Sequence, residues 1–122
     1  KAAVAALTGD LKPSAEMTEE FTRRRAKVME LIKDIPRFKC SAPEGAFYIF
    51  PDVSYYYGKS DGEQTITNSA DFSMYLLNTA HVSSVMGDAF GEPNCVRFSF
   101  ANSMPNIEKA WARVKEALAK LK

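Results

Sequence analysis

The sequence predicts an α+β fold, in which a small sheet of three to four strands carries helices packed on one face. Three observations support this prediction: two long segments with apolar residues at helical spacing, short stretches of β-branched and aromatic residues between them, and Gly- or Pro-containing turns that separate these stretches. A chain of 122 residues is long enough to bury one core and too short for two.

The first two elements are predicted to be helices. Residues 1–7 form an Ala-rich helix that Gly9 ends. A second helix covers residues 14–35, with apolar side chains close to a helical period, and Pro36 ends it. At the usual rise it would be about 33 Å long, a length that suits a helix linking two domains.

Two strands and a long polar segment follow. Residues 38–40 and 46–50 are predicted strands because their residue types favour extended structure, and a turn at residues 43–45 separates them. Residues 51–65 are predicted to lie at the surface. The three consecutive tyrosines, Tyr55–Tyr57, could form a binding patch, but a loop that packs back on the domain is the favoured interpretation.

The next stretch predicts a helix, a strand and a loop in that order. Asn68 or Ser69 can cap a helix that runs to Thr79 or Ala80. Residues 82–85 form a predicted short strand, and two glycines bracket a loop at residues 87–91. His81, the one histidine, is expected at the junction between the helix and the strand, where its side chain would satisfy backbone groups.

The clearest patterns lie near the end of the chain. Residues 95–100 alternate as a half-buried strand does: Val96, Phe98 and Phe100 share one face, and Arg97, Ser99 and Ala101 share the other. Ser103 is predicted to cap a last helix, with Pro105 in its first turn. Its apolar stripe consists of Ile107, Ala110, Trp111, Val114, Leu118 and Leu121.

Arg97 needs an explanation because a guanidinium group is costly to bury without a partner. A solvated strand face, or an ion pair with an acidic residue of the chain, would account for it. The alternative is a guanidinium fork directed at the carboxylate or phosphate of a ligand, where a bidentate pair provides both energy and orientation. Spacing alone leaves both explanations open.

Several functional classes are disfavoured. The net charge of +1 gives no electrostatic case for nucleic acid or an anionic membrane surface, and no apolar run approaches the roughly 20 residues of a membrane span. The triplet Gly58-Lys59-Ser60 is not a phosphate-binding loop, because Val53 stands where its first glycine belongs. No secretory pattern is visible, so we expect a cytoplasmic protein in which Cys40 and Cys95 are reduced core thiols; a disulfide or a reactive thiol remains the alternative.

Three ordered motifs resemble landmarks of the class I/II, or fold-type I, pyridoxal-phosphate-dependent aminotransferases. They are Pro-Glu-Gly-Ala-Phe-Tyr at 43–48, Gly-Asp-Ala-Phe-Gly at 87–91 and Val-Arg-Phe-Ser-Phe-Ala at 96–101. The chain is most similar to the C-terminal small domain of bacterial aspartate aminotransferases. The resemblance implies the small-domain architecture for residues 13–122, and a remnant of the large domain or linking segment for residues 1–12.

The resemblance also implies roles for individual residues. Arg97 matches the arginine that holds the substrate's α-carboxylate, and Gly45 and Phe47 match substrate-binding positions at the cleft. Pyridoxal phosphate, its Schiff-base lysine and the catalytic residues would belong to a large domain that this chain lacks, so the fragment itself would hold no cofactor, bind no metal and be inactive. The full-length protein would be a homodimer that acts on amino acids and 2-oxo acids and closes its cleft around them.

If the resemblance is set aside, the residues are also compatible with a different class of protein. In that hypothesis the chain is a stand-alone regulatory α/β module, in which Arg97 binds a small acidic effector. An open reading frame that extends upstream by a few hundred codons would favour the aminotransferase hypothesis, and a start codon just before Lys1 would favour the module.

The expected absence of a cofactor site gives a first prediction. Mixed with pyridoxal phosphate and reduced with borohydride, the 122-residue chain should show only scattered, substoichiometric lysine modification, because no lysine has a family-like context. Absorbance spectra and peptide mapping by mass spectrometry measure this. A single lysine labelled stoichiometrically would contradict the expectation.

Overall fold

The computed structural model describes all residues, 1–122, as an α+β fold of four α-helices and a three-stranded antiparallel sheet, as predicted. The helices are α1 (Ala2–Thr8), α2 (Lys12–Leu31), α3 (Ser69–Tyr75) and α4 (Met104–Leu118). The strands are β1 (Tyr48–Ile49), β2 (Val85–Met86) and β3 (Val96–Ser99).

Strand β3 lies at the centre of the sheet and pairs with both other strands. Tyr48 of β1 is opposite Ser99, and Val85 of β2 is opposite Arg97. The predicted alternation along β3 is confirmed, because Val96 and Phe98 are buried while Arg97 and Ser99 are not. One face of β3 therefore belongs to the core and the other to the surface.

A single core of 21 buried residues joins this sheet to helices α2, α3 and α4. Trp111 of α4 contacts Phe98 with ring centroids 5.0 Å apart, and Phe38 meets the edge of the same indole at 5.9 Å. Tyr75 of α3 donates a buried hydrogen bond to the carbonyl of Ala117, 2.8 Å away. Helix α1, by contrast, buries no residue.

The helices follow most of the local signals; the exception is Ser103, which precedes α4 as predicted but makes no capping hydrogen bond with its side chain. Helix α2 ends in a 3₁₀ turn, Ile32–Asp34, just before Pro36, as its apolar period predicts. The side chain of Asn68 caps α3 by accepting a hydrogen bond from the amide of Asp71, and a π-helical segment, Leu76–Ala80, extends this helix to its predicted end. His81 follows in the left-handed region, at the expected junction. Its side chain is exposed and makes no hydrogen bond, so the expectation that it satisfies backbone groups was wrong.

Three of the predicted strands differ from the prediction in their length or position. Residues 38–40 contribute only one isolated bridge, between Lys39 and Asp52. The strand predicted at 46–50 is confined to β1 because Ala46 has a φ of 59°, which interrupts extended structure. The strand predicted at 82–85 shifts to Val85–Met86, because the amide of Val82 donates to Leu76 and completes the end of the preceding helix.

The segment at residues 51–65 is more buried than its composition suggested. Val53 and Tyr56 belong to the core, with exposed fractions of 0% and 3%. The hydroxyls of Tyr56 and Tyr57 donate to the carbonyls of Pro36 and Pro93 at 2.7 and 2.6 Å, so the loop packs back on the domain as favoured. Burial raises the pKa of Tyr56 to about 12.

Gly87 occupies a position that only glycine fits. A β-carbon there would overlap the backbone carbonyl oxygens of Glu92 and Cys95, whereas one at Gly45 would meet nothing within 4 Å. We therefore expect Gly87→Ala to lower the free energy of unfolding by at least about 2 kcal/mol, since the backbone must shift to accommodate the methyl group.

Gly45→Ala is the matched control for this prediction, and it should change stability by less than about 0.5 kcal/mol. Urea unfolding followed by tryptophan fluorescence measures both variants, because Trp111 lies in the core. If both variants lost the same free energy of unfolding, the close approach of the backbone at Gly87 would not explain the loss.

Candidate functional site

The Arg97 side chain is on the open face of the central strand. Its neighbours Val96 and Phe98 point into the core with exposed fractions of 0% and 4%. Because successive side chains of a strand lie on opposite faces, the side chain of Arg97 points away from the core. The arginine is half-buried, and Val85 lies opposite it on β2. The sequence alternation alone was sufficient to predict this placement.

Two aromatic rings hold the guanidinium of Arg97. Its central carbon lies 4.5 Å from the centroid of the Phe90 ring and 5.3 Å from that of the Tyr48 ring. Such contacts attract a cation to the face of the ring. The chain forms six ion pairs, and Arg97 takes part in none of them; it makes no side-chain hydrogen bond either. The internal ion pair that the sequence left open is therefore not formed.

Arg97 lines a surface cavity of about 400 Å³ together with polar and apolar residues. The polar residues of the lining include no carboxylate or lysine; besides Arg97 they are His81, Ser83, Ser84, Ser99 and Asn102. The hydroxyl of Ser84 is buried and has no hydrogen-bond partner within the chain. Because Arg97 is the one arginine or lysine in this lining, the cavity is suited to a small anion that also accepts hydrogen bonds.

Gly45 and Phe47, the other predicted site residues, lie elsewhere. They line a second cavity, of about 360 Å³, between α2 and the turn that precedes β1. Phe47 is 51% exposed and contacts the ring of Tyr48 edge-on, with centroids 6.0 Å apart. Phe47 reaches the surroundings of Arg97 through Tyr48 and through its carbonyl, which accepts a hydrogen bond from Ser99. The structure does not bring Gly45 to the guanidinium.

Tyr48 and Phe90 are the residues of this site that sequence reasoning did not identify. Tyr48 reaches Arg97 because β1 pairs with β3 in the register that places Tyr48 opposite Ser99. Phe90 arrives from the glycine-bracketed loop, and its ring also packs edge-on against Phe50 at 5.9 Å. Neither contact can be deduced without knowing the register of the strands.

The loop that carries Phe90 is anchored to helix α3. Ser69, which is fully buried, donates a hydrogen bond of 2.6 Å to the carboxylate of Asp88. Gly91 closes the loop with a φ of 79°, a conformation that glycine adopts without strain. Burial, and after it the negative charge of Asp88, raises the pKa of the nearby Tyr57 hydroxyl.

Other kinds of site find less support. No group of three or more His, Cys, Asp or Glu side chains could hold a metal ion, and none of the helices combines the length and apolarity that crossing a membrane requires. Cys40 and Cys95 are free thiols, half-buried rather than part of the closed core. Burial raises the pKa of both thiols, which keeps them in the less reactive protonated form.

Comparison with protein families gives one match, to aminotransferase class I and II, over residues 1–114. A similar curated protein is a bifunctional aspartate aminotransferase and glutamate/aspartate-prephenate aminotransferase from Petunia hybrida. It is 43% identical over 128 residues, which cover 100% of this chain and 26% of that protein. The chain thus spans about a quarter of the length of this relative.

Solved structures agree with this match. An aspartate aminotransferase from Rhizobium meliloti is 38% identical and superimposes with a TM-score of 0.92, over 99% of this chain and 30% of that one. An alanine aminotransferase from Pyrococcus furiosus is 29% identical with a TM-score of 0.85, over 98% of this chain and 29% of that one. The same fold therefore occurs in proteins named for different amino donors.

The anchor between Ser69 and Asp88 can be tested by mutation. Ser69→Ala should lower the free energy of unfolding by about 1.5–3 kcal/mol, the contribution of a hydrogen bond to a charged group. Chemical unfolding of the two proteins measures the difference.

Ser73→Ala on the same helix is the control. The buried hydroxyl of Ser73 has no partner, so its removal should be neutral or stabilising. If the two substitutions had the same effect, the hydrogen bond to Asp88 would not contribute to anchoring the loop.

Proposed function

Because the chain belongs to the class I and II aminotransferase family, we propose that it is the part of an aminotransferase that recognises the substrate's α-carboxylate. The complete enzyme would transfer an amino group between an amino acid and a 2-oxo acid. The observation that carries this proposal is the guanidinium of Arg97, which lines an open cavity without an acidic partner from its own chain.

A guanidinium suits this task on chemical grounds. Its planar fork can donate two parallel hydrogen bonds to the two oxygens of a carboxylate, each worth roughly 1.5–3 kcal/mol. The amino acid and the 2-oxo acid both carry an α-carboxylate, so one arginine can hold the substrate and the product of either half-reaction. A pair of bonds also fixes the orientation of the substrate, which a single point charge would not do.

The cavity of Arg97 does not fit the cofactor of this family. Pyridoxal phosphate acts as an electron sink for the carbanion formed at the substrate's Cα, and it requires a lysine for its imine and an acid for its ring nitrogen. The cavity contains neither a lysine nor a carboxylate. In our proposal the rest of the enzyme supplies these groups and the catalytic residues, and the isolated chain is inactive.

The domain arrangement belongs to the same proposal. Residues 13–122 would form the small C-terminal domain, and residues 1–12 would remain from the large domain or the linking segment. Two facts support this division: α1 buries nothing within the chain, and the chain covers about a quarter of the Petunia relative. The small domain would move toward the substrate and expel water as Arg97 binds the carboxylate, with Gly45 and Phe47 at the rim of the cleft.

We propose aspartate as the amino donor, in a cytoplasmic homodimer. The names of similar proteins from Petunia and Rhizobium support this donor. The likeness to an alanine aminotransferase shows that the fold by itself does not select a donor. In the proposal, the residues that read the side chain lie outside this chain.

Replacing Arg97 in the full-length enzyme tests the proposal. Arg97→Ala should raise KM about a hundredfold for the amino acid and for the 2-oxo acid alike, equivalent to about 3 kcal/mol of lost charged hydrogen bonding. Arg97→Lys should recover only part of the loss, because an ammonium lacks the fork. Steady-state kinetics with each substrate varied in turn measures both effects.

Arg23→Ala provides a matched control, since it removes the same charge from an exposed arginine on α2 that pairs only with Glu20. Its kinetics should equal those of the parent enzyme. Unchanged kinetics in Arg97→Ala would rule out the carboxylate-binding role, and an effect on only one of the two substrates would rule out a shared α-carboxylate as its target.

A further inference from the structure

We infer that Phe90 is a positioning residue: its ring fixes the guanidinium of Arg97 in the binding orientation before any carboxylate arrives. The inference rests on the proposed function and deepens it, because it assigns a role to a residue that does not itself bind the substrate. It concerns the loop Gly87–Phe90 and its contact with the central strand.

The cation–π contact with Phe90 leaves the hydrogen-bonding capacity of the arginine intact. The ring of Phe90 faces the guanidinium carbon at 4.5 Å, and a ring face attracts the cation without accepting one of its N–H hydrogen bonds in the plane. The donors of a guanidinium lie at its edge. A carboxylate of this chain in place of Phe90 would neutralise the charge and occupy those donors, whereas a phenyl ring does neither.

Without these ring contacts, the side chain of Arg97 would be mobile. Its long side chain has many rotamers, and ordering them when the ligand binds weakens the affinity. Arg97 makes no hydrogen bond that would restrict it, so the two ring contacts are the restraints that the structure provides. Of these rings, Phe90 is the closer to the guanidinium.

The ring of Phe90 is itself held in place. It packs edge-on against Phe50. The loop on which it sits is held at its first two residues, Gly87 and Asp88. Gly87 allows the loop to approach the backbone of Glu92 and Cys95 closely, and the buried Ser69 holds Asp88. The loop thus presents a fixed surface to Arg97, although 47% of the Phe90 side chain is exposed.

The experiment compares variants of the full-length enzyme. Phe90→Leu should raise KM for the amino acid and the 2-oxo acid about five- to tenfold with little change in kcat, as expected for the loss of a partly desolvated cation–π contact and of side-chain order. Phe90→Trp keeps a ring face and should restore KM to within about twofold of the parent value.

Two controls separate positioning from a general structural effect. Tyr55 is also 47% exposed and also lies against a cation, Lys59, at 4.7 Å, so Tyr55→Leu removes an equivalent ring away from Arg97 and should leave KM unchanged. Tyr48→Leu removes the second ring that contacts the guanidinium, so it should also raise KM. Thermal unfolding of each variant verifies that it is folded.

The double variant distinguishes this inference from the proposed function. In an Arg97→Ala background, Phe90→Leu should add less than about twofold to KM, because the ring then has no guanidinium to orient. A full additional effect there would overturn the inference, as would parent-like kinetics for Phe90→Leu beside a strong effect of Arg97→Ala. If Arg97→Ala itself had no effect, the proposed function would fail, and the inference with it.

Discussion

The alternation of side chains along β3 is the constraint on which the rest of the structure depends. Val96, Phe98 and Phe100 are all but fully buried among helices α2, α3 and α4, so the backbone of this strand cannot rotate or slip without exposing them. Hydrogen-bonded partners on both edges add to that restraint. The buried neighbours of Arg97 therefore fix the backbone position from which its side chain extends, although that side chain points away from the core.

An arginine that is fixed in position but lacks an acidic partner is an unusual arrangement, since stability alone would favour pairing it. The chain instead places two aromatic rings against the guanidinium, beside a cavity whose lining contains no carboxylate. Positive charge is thereby kept available in a partly desolvated cavity, where it attracts an anion more strongly than in water. This arrangement supports the role proposed for Arg97 in holding a carboxylate.

Much of the fold could be predicted from local patterns, and the site only in part. Helix α4, the Asn68 cap and the two faces of β3 depend on neighbouring residues in the sequence, so periodicity was sufficient to find them. The extent of β1 and β2 depends on pairing with β3, which no local pattern records. For the same reason Arg97 could be identified from its strand, while its contacts with Tyr48 and Phe90 could not.

The two outer strands contain only two residues each, and a short helical turn follows β2 directly at Gly87. An exposed strand edge is a template on which another chain can add its own strand, and long, flat edges favour such growth. Here the run of free backbone groups at either edge is too short to align a foreign strand in register. Because β1 and β2 are so short, molecules with exposed aromatic side chains beside the sheet do not associate by pairing their strand edges.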